Sequence, residues 1–385
     1  MQSIRKLSAL SAGALFLAAA CSPGAASTAP SAAPASQATT SQAPASAAPA
    51  MAKIRVQLQW VPQAQFAGEL AAAALGYYKD AGLDVTILPG GPDVVPQQVG
   101  SAPDGPEFTL AWVPKVLQAR EAGSDLVNIA QIYQRSGTRS VSWKDNNITS
   151  PADFKGKKVG VWDFGNEFEV TAGASKAGLE AGKDYEKVIQ PFDMSLLLNK
   201  QINVAEAMIY NEYAQVLEAT NPATGKLYQP EDLNVIDYNQ VGTAMLQDAI
   251  FARASWLAKP GNEDIAVRFL AATFKGWIHC RDNAAECVDI VLKSGSTLGK
   301  GHQAWQMNEV NPLIWPSADG IGILSAGSYT QTVAIARTGK VITKDPDPAA
   351  VRTDLAQKAL ATLSAMDVKG AGFTKGSVTV TPGGN

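Results

Sequence analysis

Trp60, Phe66, Trp112 and Trp162 are the residues of this chain best suited to grip a planar ring, because stacked aromatic pairs gain about 0.5–1.5 kcal/mol beyond the area they bury. Eight tryptophans in 385 residues exceed what a core normally needs, and several stand at strand ends or in loops. Polar partners stand close by in sequence. Gln63, Gln65, Asp163, Asn166, Glu167, Asn211 and Glu212, with Gln247 and Asp248, carry amides and carboxylates that match the mixed donors and acceptors of a heterocycle. Tyr210 stands beside Asn211, and Glu212 follows the apolar run Ala207-Met208-Ile209-Tyr210. Trp256 and Trp277 sit among helical apolar residues and read as core. Trp305 and Trp315 lie in a Gly/Pro-rich region and either cap a site or cover a lobe. Arg135 and Arg139 flank Ser136-Gly137-Thr138 and could pair with an anion such as a sulfonate, the alternative being a solvated loop. Without an arginine cluster at the predicted site, a largely neutral ring is favoured. The chain has no paired nucleophile and base, no phosphate loop and no HExxH run, so catalysis is not indicated. Two histidines and no second cysteine cluster argue against a zinc site.

The elements that must position these residues are readable from periodicity. Lys53 to Trp60 alternates Ile54, Val56 and Leu58 with Arg55, Gln57 and Gln59, the two-residue period of a strand. Gln65 to Asp80 reads as a helix stopped at Ala81-Gly82, and Leu83 to Leu88 as a second strand closed by Pro89-Gly90-Gly91-Pro92. A second β-α-β unit starts at Lys157 to Trp162, bends at Asp163-Phe164-Gly165-Asn166 and enters a helix from Glu167 to Gly178. Two such units imply an α/β fold with two lobes. In open parallel sheets, ligands bind beyond the carboxyl ends of the strands, where helix N-termini offer unpaired amides. Residues 60–68 and 162–167 are therefore the expected walls of a cleft between the lobes.

The N-terminal stretch carries no such pattern. Arg5 and Lys6, a mostly apolar run from Leu7 to Ala20 and then Cys21 read as an export signal ending in a lipid-modified cysteine, the run of 14 residues being too short to span a bilayer. Ala18, not Leu17, stands three residues before Cys21. An ordinary secretory signal is the alternative. From Ser22 to Ala52, 27 of 31 residues are Ala, Ser, Pro or Thr and none is charged, the composition of a disordered tether with a reach of roughly 30 Å. A net charge of −3 with scattered Lys and Arg makes nucleic acid an improbable partner. Outside the cell, Cys280 and Cys287 in HCRDNAAEC could form a disulfide.

Taken together, WVPQAQFAG at 60–68, LGYYKDAGLDV at 75–85, FKGKKVGVW at 154–162 and YNEY at 210–213 resemble the solute-binding proteins of bacterial ABC importers. The superfamily concerned includes pyrimidine-precursor binders and the eukaryotic thiamine pyrimidine synthase, and the resemblance runs from about Lys53 to about Arg337. GGPD at 90–93, QRSGT at 134–138 and GHQAWQ at 301–306 are most similar to its riboflavin-binding branch. The resemblance implies a two-lobed periplasmic-binding-protein-like type II fold, with residues 53–145 and 249–345 in the first lobe and 146–248 in the second. A C-terminal helix at about 349–365 and a polar tail follow within 346–385. It also implies a monomer, tethered through its lipid anchor to the outer face of the membrane. Such a receptor closes on riboflavin or a related flavin and passes it to ABC permease and ATPase subunits, with no cofactor. A thiamine pyrimidine precursor is the second ligand implied. Glu212 matches a ligand-binding glutamate of the superfamily, whereas Gln65 and Phe66 stand where pyrimidine binders often carry tyrosine or histidine. The synthase's requirements are not met: Ala111 aligns with its cofactor lysine, Lys115 with its donor histidine, and Thr243-Ala244-Met245-Leu246 with its cysteine-rich iron-binding run.

Overall fold

Where one face of a strand is buried, the chain keeps its alternation. The computed structural model describes residues 51–297 and 299–385; the expected signal at 1–20, the lipidation at Cys21 and the tether up to residue 50 lie outside the described residues. The described residues form ten strands: β1 (Ala52–Gln57), β2 (Leu83–Leu88), β3 (Phe108–Ala111), β4 (Leu126–Gln131), β5 (Thr138–Trp143), β6 (Lys158–Val161), β7 (Glu186–Ile189), β8 (Val204–Met208), β9 (Leu233–Asp237) and β10 (Ala249–Arg253). In β1, Ile54 and Val56 are buried while Lys53 and Arg55 are exposed. This strand includes Ala52, which composition alone assigns to the tether; it pairs with Leu83 across the sheet, and composition does not reveal where a partner strand ends.

One sheet has the order β2-β1-β3-β10-β4 and the other β7-β6-β8-β5-β9. In each, three parallel strands are followed by one antiparallel strand that the chain supplies from across the molecule. The chain crosses from the edge strand β4 to the inner strand β5, and later from the edge strand β9 to the inner strand β10. The first crossing corrects the expected boundary at residue 145: β5 pairs with β8 and β9 and belongs to the second sheet. Local alternation establishes that a segment is a strand but not which sheet completes its hydrogen bonds.

Helix boundaries also shift. The expected helix over 65–80 is a 3-10 turn (Ala64–Phe66) and two helices (Ala67–Ala74 and Tyr77–Asp80) separated by Gly76 in a left-handed conformation. Ala67–Ala74 packs against the long helix Asn262–Asp282 at a crossing that only glycine permits. A Cβ on Gly276 would lie 2.0 Å from the carbonyl oxygen of Gly68, and one on Gly68 would meet the Trp277 indole. Cys280 and Cys287 form a disulfide joining this helix to Ala284–Lys293. The C-terminal helix spans Thr353–Ala361, shorter than expected. The tail after it packs against both lobes: Phe373 covers the larger core, Val380 packs on the second-lobe cluster and Gly383 donates to the Glu218 carbonyl (3.0 Å).

Because a backbone carbonyl cannot yield as a flexible side chain can, Gly276→Ala should destabilise the protein by about 2 kcal/mol or more. Urea unfolding of residues 51–385 measures this, and a midpoint equal to wild type would show that the crossing relaxes freely.

Candidate functional site

The carboxyl ends of β1, β2 and β3 in one sheet face those of β6, β7 and β8 in the other, and the loops that follow them enclose a cavity. Counted with the open solvent at its mouth, the space between the walls is about 670 Å³. Gln59, Trp60, Gln63 and Gln65 follow β1; Gly91, Pro92 and Val94 to Gln97 follow β2; Trp112 and Lys115 follow β3. From the other lobe come Trp162, Phe164 and Asn166 after β6, Phe192 after β7, and Met208, Tyr210, Asn211 and Glu212 at the end of β8. Gly90 lets the first two loops touch: a Cβ there would lie 2.6 Å from the Trp60 nitrogen.

Aromatic rings line the interlobe face. Phe192 sits 4.5 Å from Trp60 across the cleft and is stacked at 6.1 Å on Trp162. Phe164, with φ at +62° and 68% exposed, stands at the mouth in a strained turn of the kind that collects at functional sites. Lys115 Nζ lies 4.7 Å above the Trp112 ring and donates to Asn166 Oδ1 (2.6 Å), bridging the lobes. Burial lowers the Lys115 pKa to about 8, against the pull of Asp248, Glu167 and Glu206. Glu212 accepts from the Met208 backbone amide (2.9 Å) and from Asn211 Nδ2 (2.6 Å), and burial raises its pKa to about 7. Asn211 Oδ1 in turn meets His302 Nε2 (2.9 Å), whose Nδ1 meets Glu218.

Behind the first-lobe wall, Asp248 accepts from Gln65 Nε2 and Trp112 Nε1, both at 2.9 Å, and Gln63 Nε2 donates to Gln65 Oε1 at 2.8 Å. Burial raises the Asp248 pKa to about 6. The carboxamide oxygens of Gln59, Gln63 and Gln97 have no partner although all three side chains are at least 92% buried. Each such acceptor costs about 1–3 kcal/mol until a donor reaches it.

Among the expected site residues, Trp60, Gln63, Gln65, Trp112, Trp162, Asn166, Tyr210, Asn211 and Glu212 line the cavity. Five do not. Phe66 is fully buried in the core at the end of its 3-10 turn, facing away from the cleft. Asp163 supports Asn166 through its carbonyl (2.7 Å), and the Glu167 carboxylate accepts from the Gly165 amide (3.0 Å) in the same turn. Asp248 lies behind the wall. Gln247 belongs to the crossings: its Oε1 accepts from the Gly137 amide (2.8 Å) and its Nε2 donates to Thr138 Oγ1 (2.7 Å) and Glu169 (3.2 Å). Arg135 and Arg139 are also placed there, on the Pro312 and Pro316 carbonyls and on Asp237 respectively. Sequence reasoning missed Gln59, the lining residues between Gly91 and Gln97, Phe192 and Met208; it placed Phe164 within the expected wall at 162–167 without singling it out, and weighed Lys115 only against the synthase, as the counterpart of its histidine or as a shifted cofactor lysine. Gln190-Pro191-Phe192-Asp193 directly after a strand is a signal for Phe192, the same pattern that exposes Trp60. Trp256 and Trp277 are core, Trp315 is buried under Arg281, and Trp305 caps the end of β8 by donating to the Ile209 carbonyl (3.0 Å). Among the described residues no cluster of metal-ligating side chains occurs and no helix is long and apolar enough to cross a membrane.

Residues 63–287 match the family described as NMT1/THI5 like. The formylaminopyrimidine-binding protein of Halalkalibacterium halodurans is 24% identical over 246 residues, 62% of this chain and 69% of that protein. The riboflavin-binding protein RibY of Chloroflexus aurantiacus is 25% identical over 246 residues, 63% of this chain and 66% of that protein. In fold, the chain is similar to the periplasmic nitrate-binding protein NrtA from Synechocystis PCC 6803, with a TM-score of 0.62 at 14% identity over 87% of this chain and 93% of that one. The chain spans between 34 and 69% of the length of the curated relatives it matches.

Burial also lifts Glu69 and Glu169 to about 8. A carboxyl whose pKa is raised in the folded state gives stability that is complete below its unfolded value and lost as pH rises through the folded one. Glu69, Glu169, Glu212 and Asp248 therefore predict a melting temperature that falls by several degrees between about pH 4.5 and pH 8. Lys115 acts oppositely, gaining stability as pH rises above about 8, so the decline should flatten there. Differential scanning calorimetry across pH 4.5–9 checks the slope, and a melting temperature rising steadily from pH 5 to 8 would contradict it.

Proposed function

The chain belongs to the NMT1/THI5-like family, and from that premise we propose that it is the extracytoplasmic solute-binding component of an ABC importer, capturing riboflavin or a related flavin between its lobes. The observation that carries this reading is the interlobe cavity walled by Trp60, Trp112, Trp162, Phe164 and Phe192. That much ring surface suits a fused planar system, and the amide-rich wall suits its polar edge or a polyhydroxy tail. The lining carries a single amine, Lys115, a single carboxyl, Glu212, and no arginine, which favours a neutral ligand over a sulfonate. Lobe closure about the two crossings would expel water and present a closed form to permease and ATPase subunits. Export through residues 1–20 and a lipid on Cys21, followed by the tether to residue 50, would hold the monomer at the outer face of the membrane.

A formylaminopyrimidine-type ligand is the second reading, favoured by the unpartnered acceptors and Glu212, which suit an exocyclic amino group. Catalysis of the synthase kind is not supported. Lys115 lines the cavity as a cofactor lysine would, but among the described lining residues there is no histidine to act as donor and no arginine, serine or threonine side chain for a phosphate, which speaks against a pyridoxal phosphate site.

Tryptophan-fluorescence titration of residues 51–385 should show saturable one-to-one binding of riboflavin, confirmed by calorimetry, with Trp162→Ala and Glu212→Gln each weakening it at least tenfold. Binding of the pyrimidine alone would overturn the flavin assignment, and binding of neither would overturn the receptor reading. In cells, Cys21→Ala should move the full-length protein from the membrane fraction to the soluble fraction. An unchanged membrane fraction would refute lipid anchoring at that residue.

A further inference from the structure

Asp248 does not line the cavity, yet its carboxylate fixes which end of the Gln63 amide is left without a partner there. An ionised carboxylate only accepts hydrogen bonds. Its two oxygens are occupied by Gln65 Nε2 and Trp112 Nε1, so Gln65 must turn its nitrogen toward Asp248 and its oxygen toward Gln63. Gln63 answers with its nitrogen (2.8 Å), which leaves Oε1 without a partner on a side chain that lines the cavity. All four side chains are at least 95% buried, so water does not readily exchange these roles. Gln59 and Gln97 line the same side of the cavity, each with an unpartnered carboxamide oxygen.

We propose that Asp248 is a positioning residue that sets the hydrogen-bond polarity of the first-lobe wall through Gln65 and Gln63, and so selects ligands that present N–H or O–H donors to it. The ligand class is a planar heterocycle bearing an imide N–H, an exocyclic amino group or hydroxyls. The inference rests on the reading of this cavity as a heterocycle site. In D248N the new side chain must still accept from Trp112 with its oxygen, so its nitrogen faces Gln65. That reverses Gln65, then Gln63, and turns a donor into the cavity.

Calorimetry on residues 51–385 would compare riboflavin with 3-methylriboflavin, and 4-amino-5-hydroxymethyl-2-methylpyrimidine with its 4-methoxy counterpart. Wild type should prefer the donor-bearing member of whichever pair it binds by about 30-fold. D248N should reduce that ratio to about one or invert it. Gln65→Leu, which interrupts the relay while leaving Asp248 and Gln63 in place, should reduce it as well and serves if D248N does not fold. A wild-type ratio near one, or ratios unchanged in both variants, would overturn the proposal. If neither parent compound binds, the heterocycle reading fails, and neutron diffraction of the ligand-free perdeuterated protein still decides the relay. Deuterons on Gln65 Nε2 facing Asp248 and on Gln63 Nε2 facing Gln65 support it, and the opposite orientation refutes it.

Discussion

The structure depends on one buried set of hydrogen bonds where the chain passes between its two sheets. Gln247, on the second crossing, grips the first crossing through the Gly137 amide and Thr138 Oγ1, and both crossings meet at the Glu169 carboxylate, which also accepts from Ser136 Oγ at 2.7 Å. Gln131, at the end of β4, adds a donor to the Gln247 carbonyl (2.9 Å). These groups are buried, so leaving any of them unpaired carries a desolvation penalty. The two passages are thereby held in register, and the carboxyl ends of β1–β3 and β6–β8 face one another. The cavity is a consequence of that arrangement.

Adjacent residues then divide the labour. Gln247 serves the crossings and Asp248, next in the chain, orients the cavity wall through Gln65, Gln63 and Trp112. The opposite wall is organised differently. Trp162 has its backbone nitrogen tied to Glu206 (3.0 Å) and its indole to the Pro191 carbonyl (3.2 Å), while Glu212 is held by the last amide of β8 and by Asn211. One wall thus presents fixed acceptors and the other a fixed ring face beside a carboxylate. Lys115 and Phe192 contact residues of the opposite lobe and couple the two walls.

Much of this was legible in the sequence, for physical reasons. The strands β1 and β2 and the unit from β6 to the following helix were readable because burial of one face imposes a period. Trp60, Trp162 and Glu212 were readable because parallel sheets place ligands beyond strand ends, and large or charged residues there have few other uses. What was not legible was nonlocal. No local pattern says that β5 pairs in the second sheet, that Phe66 turns inward at the end of a 3-10 turn, that Gln247 joins the crossings, or that Asp248 lies just behind the cavity wall. Phe192 and the 91–97 loop became wall residues only because the sheets face each other. The place of Lys115 was not legible because it depends on Asn166 of the other lobe, which accepts from its ammonium across the cleft.

Hydrogen–deuterium exchange of residues 51–385 with and without saturating riboflavin is the most direct test of a ligand held between the lobes. The account predicts simultaneous protection of backbone amides in 59–66 and 112–116 of the first lobe and in 162–168 and 206–213 of the second. Protection confined to one lobe, or found only around Arg135, Arg139 and residues 309–313 on the side of the crossings, would contradict it.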